Sequence, residues 1–272
     1  MSDLPESKIT KDHLKIERDK LPELVLLPGA PERVYEICRY LEKSEIVGKN
    51  REFTTAVGKY KDVELTVCST GIGGTSAEIA LVELKKRGIK KAIRIGTSGG
   101  IQDDMAPGDL VILSACAKYS GACDSLVPVN FPAVSDYEMI MALIEGCETV
   151  KATYHVGIGA TVDSFYGSKI SLLDSKLKTT PLYERLPVFR QLNVLLLDME
   201  SAPLFTLGSI LNVKVGSICT IGGNLYKKYE QKEVSNEKAI LAALDAALHL
   251  SQWDLLAERY KVGFKPSLLG IK

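Results

Sequence analysis

The chain has 272 residues, 46% of them hydrophobic and 25% charged, and its formal net charge is zero. Such a composition suits a water-soluble globular protein with a sizeable core, and the scattered basic residues exclude a dedicated nucleic-acid or anionic-membrane binder. No apolar run approaches the roughly 20 residues of a membrane helix, and the polar start MSDLPESKITKDHLK does not read as a secretory signal.

Residues 1–20 form a polar lead-in. Glu23–Leu27 reads as a short strand that runs into Pro28-Gly29-Ala30-Pro31-Glu32-Arg33. Val34–Leu41 then reads as a helix with Val34, Ile37, Cys38 and Leu41 on one face, and Pro31 suits a first turn. A strand, a glycine turn and a helix start bearing Arg33 can seat an anion, although an ordinary strand–helix connection explains them too. After Arg51-Glu52-Phe53-Thr54-Thr55, residues 56–60 and 63–69 read as a hairpin about Lys61-Asp62. Thr70–Ser76 is a further glycine turn. Thr75 or Ser76 can cap a helix over Ala77–Arg87, which Gly88 ends.

Lys91–Ile101, KAIRIGTSGGI, stands out. An arginine inside an apolar strand is costly unless something pairs with it. At the strand's end the glycines Gly96, Gly99 and Gly100 let the backbone approach an anion, and Arg94 and Thr97 add a planar fork and a hydroxyl donor. A plain strand-to-loop turn with a snorkelling arginine accounts for the same letters.

Asp109–Ala115 reads as a strand, 119–135 as a loop, Tyr137–Cys147 as an amphipathic helix and Tyr154–Thr161 as a strand leading to Asp163-Ser164-Phe165-Tyr166-Gly167. Residues 168–192, with Pro181 and Pro187, read as irregular. Val194–Leu197 is a strand that delivers Asp198-Met199-Glu200 to a helix over Ser201–Leu211. Lys214–Ile221 is the last strand, Glu237–Glu258 a long helix and 259–272 a polar tail. Strands alternate with helices throughout, which predicts one α/β domain over 1–272 with both sheet faces covered. Ligands of such sheets gather at strand carboxyl ends, where Arg33, Arg94, Thr97, Phe165, Asp198, Glu200 and Asn224 fall.

Six cysteines without close CxxC pairs point to free thiols in a reducing compartment, hence the cytoplasm. Three widely separated histidines offer little for a His-based metal site or a Ser-His-Asp triad. Asp198 and Glu200, alternating on a strand end, would face one way and Met199 the other. The two acids read equally as a structural ion pair with the arginines or as acceptors for sugar hydroxyls. Phe165 and Tyr166 could stack on a planar base, or belong to the core.

Taken in order, LLPGAPERV (26–34), REFTT (51–55), CSTGIGGTS (68–76), IRIGTSGGI (93–101), GDLVI (108–112), FPAVSDYE (131–138) and DMESAPL (198–204) resemble the nucleoside phosphorylase family of purine nucleoside and uridine phosphorylases, and most of all its uridine branch. The resemblance runs from about residue 21 to 250. It implies a central mixed, twisted, partly barrel-like sheet flanked by helices, and cleavage of a nucleoside by inorganic phosphate to free base and (deoxy)ribose 1-phosphate. By motif, Gly29, Arg33, Arg94 and Thr97 would hold phosphate, with Arg51 reaching in from a neighbouring subunit. Met199, Glu200 and Thr97 would meet the ribose, and Phe165, Gly99 and Asp198 would line the base. Arg33, Arg94 and Glu200 would carry the catalysis. Glu52, Ile72 and Ser76 match positions that hold potassium between subunits in some relatives. The resemblance implies no organic cofactor and a homodimer or a hexamer of three dimers.

The chain departs from the family's pattern at the base. Uridine phosphorylases follow the Phe-Tyr pair with a Gln and an Arg, whereas this chain has Gly167-Ser168-Lys169-Ile170, which leaves Lys169 to contact the uracil carbonyls. Purine enzymes carry an Asp after the last strand, where this chain has Asn224. Uridine enzymes often carry an Arg in that region, and it too is missing. Glu6 stands near the place of the histidine that contacts the sugar's 5′-hydroxyl, and Asp198 replaces the first acid of Glu-Met-Glu. A pyrimidine nucleoside is therefore the expected substrate. The alternatives are a purine nucleoside phosphorylase or a hydrolytic nucleosidase of the same fold, and a non-catalytic nucleoside-binding protein.

Overall fold

A computed structural model describes residues 12–173, 175–227 and 234–261. The first half of the chain builds β1 (Leu24–Pro28), α1 (Pro31–Cys38), β2 (Glu42–Asn50), β3 (Phe53–Tyr60), β4 (Val63–Cys68), α2 (Gly74–Lys86), β5 (Lys91–Gly100) and β6 (Leu110–Tyr119). There follow α3 (Gly121–Leu126), β7 (Ala133–Val134), α4 (Tyr137–Thr149), β8 (Tyr154–Val162), α5 (Pro181–Gln191), β9 (Leu196–Asp198), α6 (Ser201–Leu211), β10 (Lys214–Asn224) and α7 (Glu237–Tyr260). All ten strands join one mixed sheet in the order β10-β6-β8-β9-β5-β1-β4-β3-β2, with β7 on β6. Because β10 also pairs with β5, the strands β5, β10, β6, β8 and β9 close into a ring, and the other strands extend from it. The α/β class and the partly barrel-like sheet expected from the sequence are both present.

Strand alternation divides the core between the two faces of the sheet. From β1, Val25 and Leu27 pack with Leu81 and Leu84 of α2 and Phe205 of α6, while Leu24 and Leu26 pack with Met139 and Leu143 of α4 and Ile240 and Leu244 of α7. The α4–α7 contact is tight. A Cβ built on Gly146 would lie 2.2 Å from the carbonyl oxygen of Ala242, so only glycine allows this crossing.

Several stretches differ from the sequence reading: β2 occupies residues to which that reading assigns no element, and Gly96–Gly100, expected as the turn after a strand, are the second half of β5. The expected loop over 119–135 contains α3 and the two-residue β7. The expected irregular stretch contains α5, whose first turn begins with Pro181 and is capped by Thr180, the hydroxyl oxygen accepting from Tyr183 N at 3.0 Å. Pro187 lies inside this helix, although it lacks the N–H that would bond the Tyr183 carbonyl. All six cysteines are free, five of them buried. Among the described residues no helix is long and apolar enough to cross a membrane.

The feature that makes the site is a change of partner along β5. Its first half lies beside β1 as far as the Ile95–Pro28 register, and its last two residues lie beside β9 through Gly99–Leu197 and Gly100–Leu196. Between these contacts β5 has lost one neighbour and not yet gained the next. The gap opens at the carboxyl ends of β1 and β4, where α/β sheets collect ligands.

Candidate functional site

A cavity of about 900 Å³ fills this gap. Gly29, Arg33, Glu52 and Ile72 border it from the β1 side, and Arg94, Thr97 and Gly99 from β5. Asp198, Met199 and Glu200 border it from β9 and the start of α6, and Phe165 and Lys169 from the segment after β8. Residues scattered over most of the chain thus meet at one place. Arg51 and Ser76 do not border the cavity: Arg51 is exposed in the β2–β3 turn with φ at 53°, and Ser76 lies behind Glu52. Glu6 falls outside the described residues.

Arg94 is the electrostatic centre. Its side chain is 5% exposed, its Nε lies 3.3 Å from Asp198 Oδ2, and its Nη2 pairs with Glu200 Oε2. Burial alone disfavours the cation, but the carboxylates of Glu200 and Asp198 outweigh it and hold the guanidinium above its ordinary value. Gly96 forms the floor under this group. A Cβ there would lie 2.8 Å from Cys219 Sγ and 3.0 Å from Arg94 Nη2. Gly96→Ala is therefore expected to displace the guanidinium and to destabilise the fold by about 1–3 kcal/mol, as overpacking does. Thermal melts and phosphate saturation check this, and unchanged saturation would remove Gly96 from the account. Burial pushes the Cys219 thiol up to about 11, so this sulfur is packing and not a nucleophile at neutral pH.

Asp198 and Glu200 do different work. The Asp198 side chain is wholly buried, with Oδ1 accepting from Thr161 Oγ1 at 2.6 Å and Oδ2 from Ser201 N at 2.9 Å and from Ser201 Oγ. Its oxygens are committed to Arg94 and to the turn into α6, so Asp198 anchors the site and does not fit the base contact expected of it. Glu200 is not on the strand. It occupies the N-cap of α6, where Oε1 accepts from Gly73 N at 2.7 Å. Because the chain turns here, simple alternation fails and Met199 borders the cavity together with both acids.

Arg33 approaches from α1. Its Nη1 donates to the Ile95 carbonyl at 3.3 Å and its Nη2 to Thr97 Oγ1 at 3.4 Å. Burial pulls the Arg33 guanidinium below its ordinary value; Glu36 opposes this and the neighbouring Arg94 adds to it. Two guanidiniums and the Thr97 hydroxyl thus converge where a dianion would relieve their repulsion. The Gly29 turn is fixed through Gly71 N, which donates to Gly29 O at 2.9 Å. Glu52 and Ser76 also meet: the Ser76 hydroxyl lies 2.9 Å from Glu52 Oε1 and 2.6 Å from the Thr70 carbonyl. Ile72 is 79% exposed beside them.

On the β8 side, Phe165 is half exposed and meets Tyr166 edge to face at 5.3 Å. Lys169 places its Nζ 3.4 Å from the centre of the Phe165 ring. Several working residues escaped the sequence reading. Thr161 and Ser201 clamp Asp198, and Asn236, before α7, takes the Thr97 hydroxyl at 2.9 Å. Single hydroxyls and amides carry no spacing signal, so only the contacts identify them.

The sequence model of the phosphorylase superfamily matches residues 23–251. Uridine phosphorylase of Thermococcus kodakarensis is 37% identical over 250 residues, covering 91% of this chain and 89% of its own. Guanosine phosphorylase of Halorubrum lacusprofundi is 35% identical over 213 residues, 78% of this chain and 83% of its own. Uridine phosphorylase of Escherichia coli is 33% identical over 237 residues, 86% of this chain and 92% of its own.

Proposed function

The chain belongs to the phosphorylase superfamily, and from that premise we propose that it is a pentosyltransferase that cleaves uridine or a related pyrimidine nucleoside with inorganic phosphate, giving free base and (deoxy)ribose 1-phosphate. The observation that carries this reading is the convergence of Arg33, Arg94 and Thr97 on one cavity with the Glu200 carboxylate and the Phe165 ring. Phosphate would lie against the two guanidiniums, the Thr97 hydroxyl and the Gly29 turn. The ribose would lie against Glu200 and Met199, and the base on the Phe165 side.

In this arrangement a phosphate oxygen attacks C1′ while the C1′–N bond breaks and its electron pair leaves with the base. Positive charge gathers on the sugar, and the held phosphate dianion stabilises it through space. No side chain need bond to the sugar, which suits a site whose nearest thiol is buried and protonated. Inorganic phosphate is the co-substrate, and no organic cofactor takes part.

The deciding experiment follows base release from uridine, thymidine, deoxyuridine, inosine, guanosine and adenosine, with and without phosphate. Phosphate-dependent release from uridine supports the proposal. Release that ignores phosphate would make the chain a hydrolase, and binding without release at any phosphate level a binding protein. The guanosine phosphorylase among the relatives keeps a purine substrate as the second reading, and guanosine outpacing uridine would establish it.

We place the enzyme in the cytoplasm, where six free thiols persist, as a single domain acting as a homodimer or a hexamer of dimers. Arg51, exposed and outside its own chain's cavity, would complete the phosphate site of a neighbouring subunit. Arg51→Ala is then expected to raise the phosphate KM about tenfold, the scale of one exposed charged contact, and to leave the melting temperature unchanged. Normal phosphate saturation would refute the shared site. The oxygen set of Glu52, Ser76 and the adjoining backbone suits a hard cation. A potassium ion would be held there between subunits and would supply structure rather than a chemical step.

A further inference from the structure

Nucleoside cleavage needs more than a charged sugar. As the C1′–N bond breaks, its electron pair passes into the base, and in a lactam base such as uracil much of that charge settles on the ring carbonyl oxygens. A group that meets an oxygen more strongly as the charge grows accelerates the step; one that meets the neutral base equally well does not.

The β8 side of the cavity offers few groups for this work. The Asn224 amide is turned away: its Nδ2 donates to the carbonyls of Gln102 at 2.6 Å and Met105 at 3.5 Å, and its Oδ1 accepts from Tyr226 N at 2.9 Å. The Ser98 hydroxyl donates to the Leu197 carbonyl, and that of Ser168 to the Phe165 carbonyl at 3.4 Å. Of the three acids that border the cavity, Asp198 and Glu200 are held by Arg94, and Glu52 is held by Ser76. Lys169 is different. It borders the cavity and no carboxylate pairs with it among the described residues. Its ammonium rests on the π face of Phe165.

We propose that Lys169 selects the base, by pairing its ammonium with the ring carbonyl oxygen on which the charge of the departing base collects. The proposal rests on the phosphorolytic reading above and adds to it a rule for substrates. Bases with a ring carbonyl beside a ring N–H, namely uracil, thymine, hypoxanthine and guanine, are favoured over cytosine and adenine, which present an amino group there. The ammonium exchanges its contact with the Phe165 ring for the oxygen as the base stacks. Lys169 keeps its proton throughout. Phosphate forms the new bond to C1′, the pair of the broken bond leaves on the base, and the released anion takes a proton from solvent water. Partial burial pulls the lysine below its ordinary value, which marks a group already stripped of some water and free to bond an anion more strongly.

The test compares the wild-type enzyme with Lys169→Met and Lys169→Arg on uridine, 5-fluorouridine and 5-methyluridine, whose bases leave with different ease, and on cytidine. Lys169→Met is expected to lower kcat/KM for uridine about 10- to 100-fold, the scale of a hydrogen bond to a charged group. The loss shrinks for 5-fluorouridine, grows for 5-methyluridine and is small for cytidine, so dependence on leaving-group acidity steepens. Lys169→Arg restores most of the rate. A methionine stem still packs on Phe165, so a merely structural role predicts no change in that dependence. Equal losses across the series, or none, would overturn the proposal. A wild-type enzyme that releases no base with phosphate would instead overturn the phosphorylase reading, and phosphate affinity of the variants by calorimetry confirms their folded site.

Discussion

Arg94→Met is expected to lower kcat/KM about a thousandfold or more, because it removes a preorganised cation from the phosphate and from the transition state. The same change should destabilise the fold by about 3–5 kcal/mol. Asp198 and Glu200 would remain in place with their countercharge gone, and both are nearly sealed from solvent. Methionine keeps much of the arginine's length, so a cavity is not the main loss. The two effects can be separated. Adding Glu200→Gln to Arg94→Met removes one of the stranded charges, so urea melts should recover part of the stability while activity stays absent. If Arg94→Met alone melts like the wild type and still saturates with phosphate, Arg94 is neither the anchor nor the phosphate ligand.

Glu200→Gln by itself is expected to lower kcat/KM for uridine about 100-fold, as the loss of charge-assisted hydrogen bonds does. A glutamine carbonyl can still accept from Gly73 N, so the turn before α2 keeps its tie. What changes is the second oxygen. An NH2 group there would confront Arg94 Nη2, donor against donor, and would meet the ribose hydroxyls without charge. Because the 2′-hydroxyl is one of the proposed partners, the loss should be clearly smaller for 2′-deoxyuridine. Steady-state kinetics on the two nucleosides check this. Equal losses would mean that Glu200 acts only by holding Arg94.

Much of the architecture was legible in the sequence because local rules govern it. Alternation of strand and helix signals predicted the α/β class. The glycine turns at Gly29 and Gly71–Gly74 marked strand ends, and the arginine inside KAIRIGTSGGI marked the site, although Gly96–Gly100 belong to β5 itself and not to a loop after it. The prolines misled: Pro181 and Pro187 look like breakers, yet the first starts α5 and the second is carried within it. Propensity is a local tendency, and packing of Leu186 and Phe189 into the small core beside β9 overrides it.

The sequence by itself determined which chemical groups the protein has, and that most of them stand at the ends of strands or the starts of helices. Only the tertiary structure decided what each of them touches. Pairing of β5 with β1, then with β9, and with β10 along its other edge, joins residues far apart in the chain, and no local spacing encodes such contacts. That pairing opens the cavity. It also turns Asp198 inward to Thr161 and Ser201, leaves Glu200 beside the cavity, and sets the Lys169 ammonium on Phe165. Two neighbouring carboxylates are thereby held differently, Asp198 by Arg94, Thr161 and Ser201 with its side chain wholly buried, and Glu200 by Arg94 and Gly73 N at the start of α6.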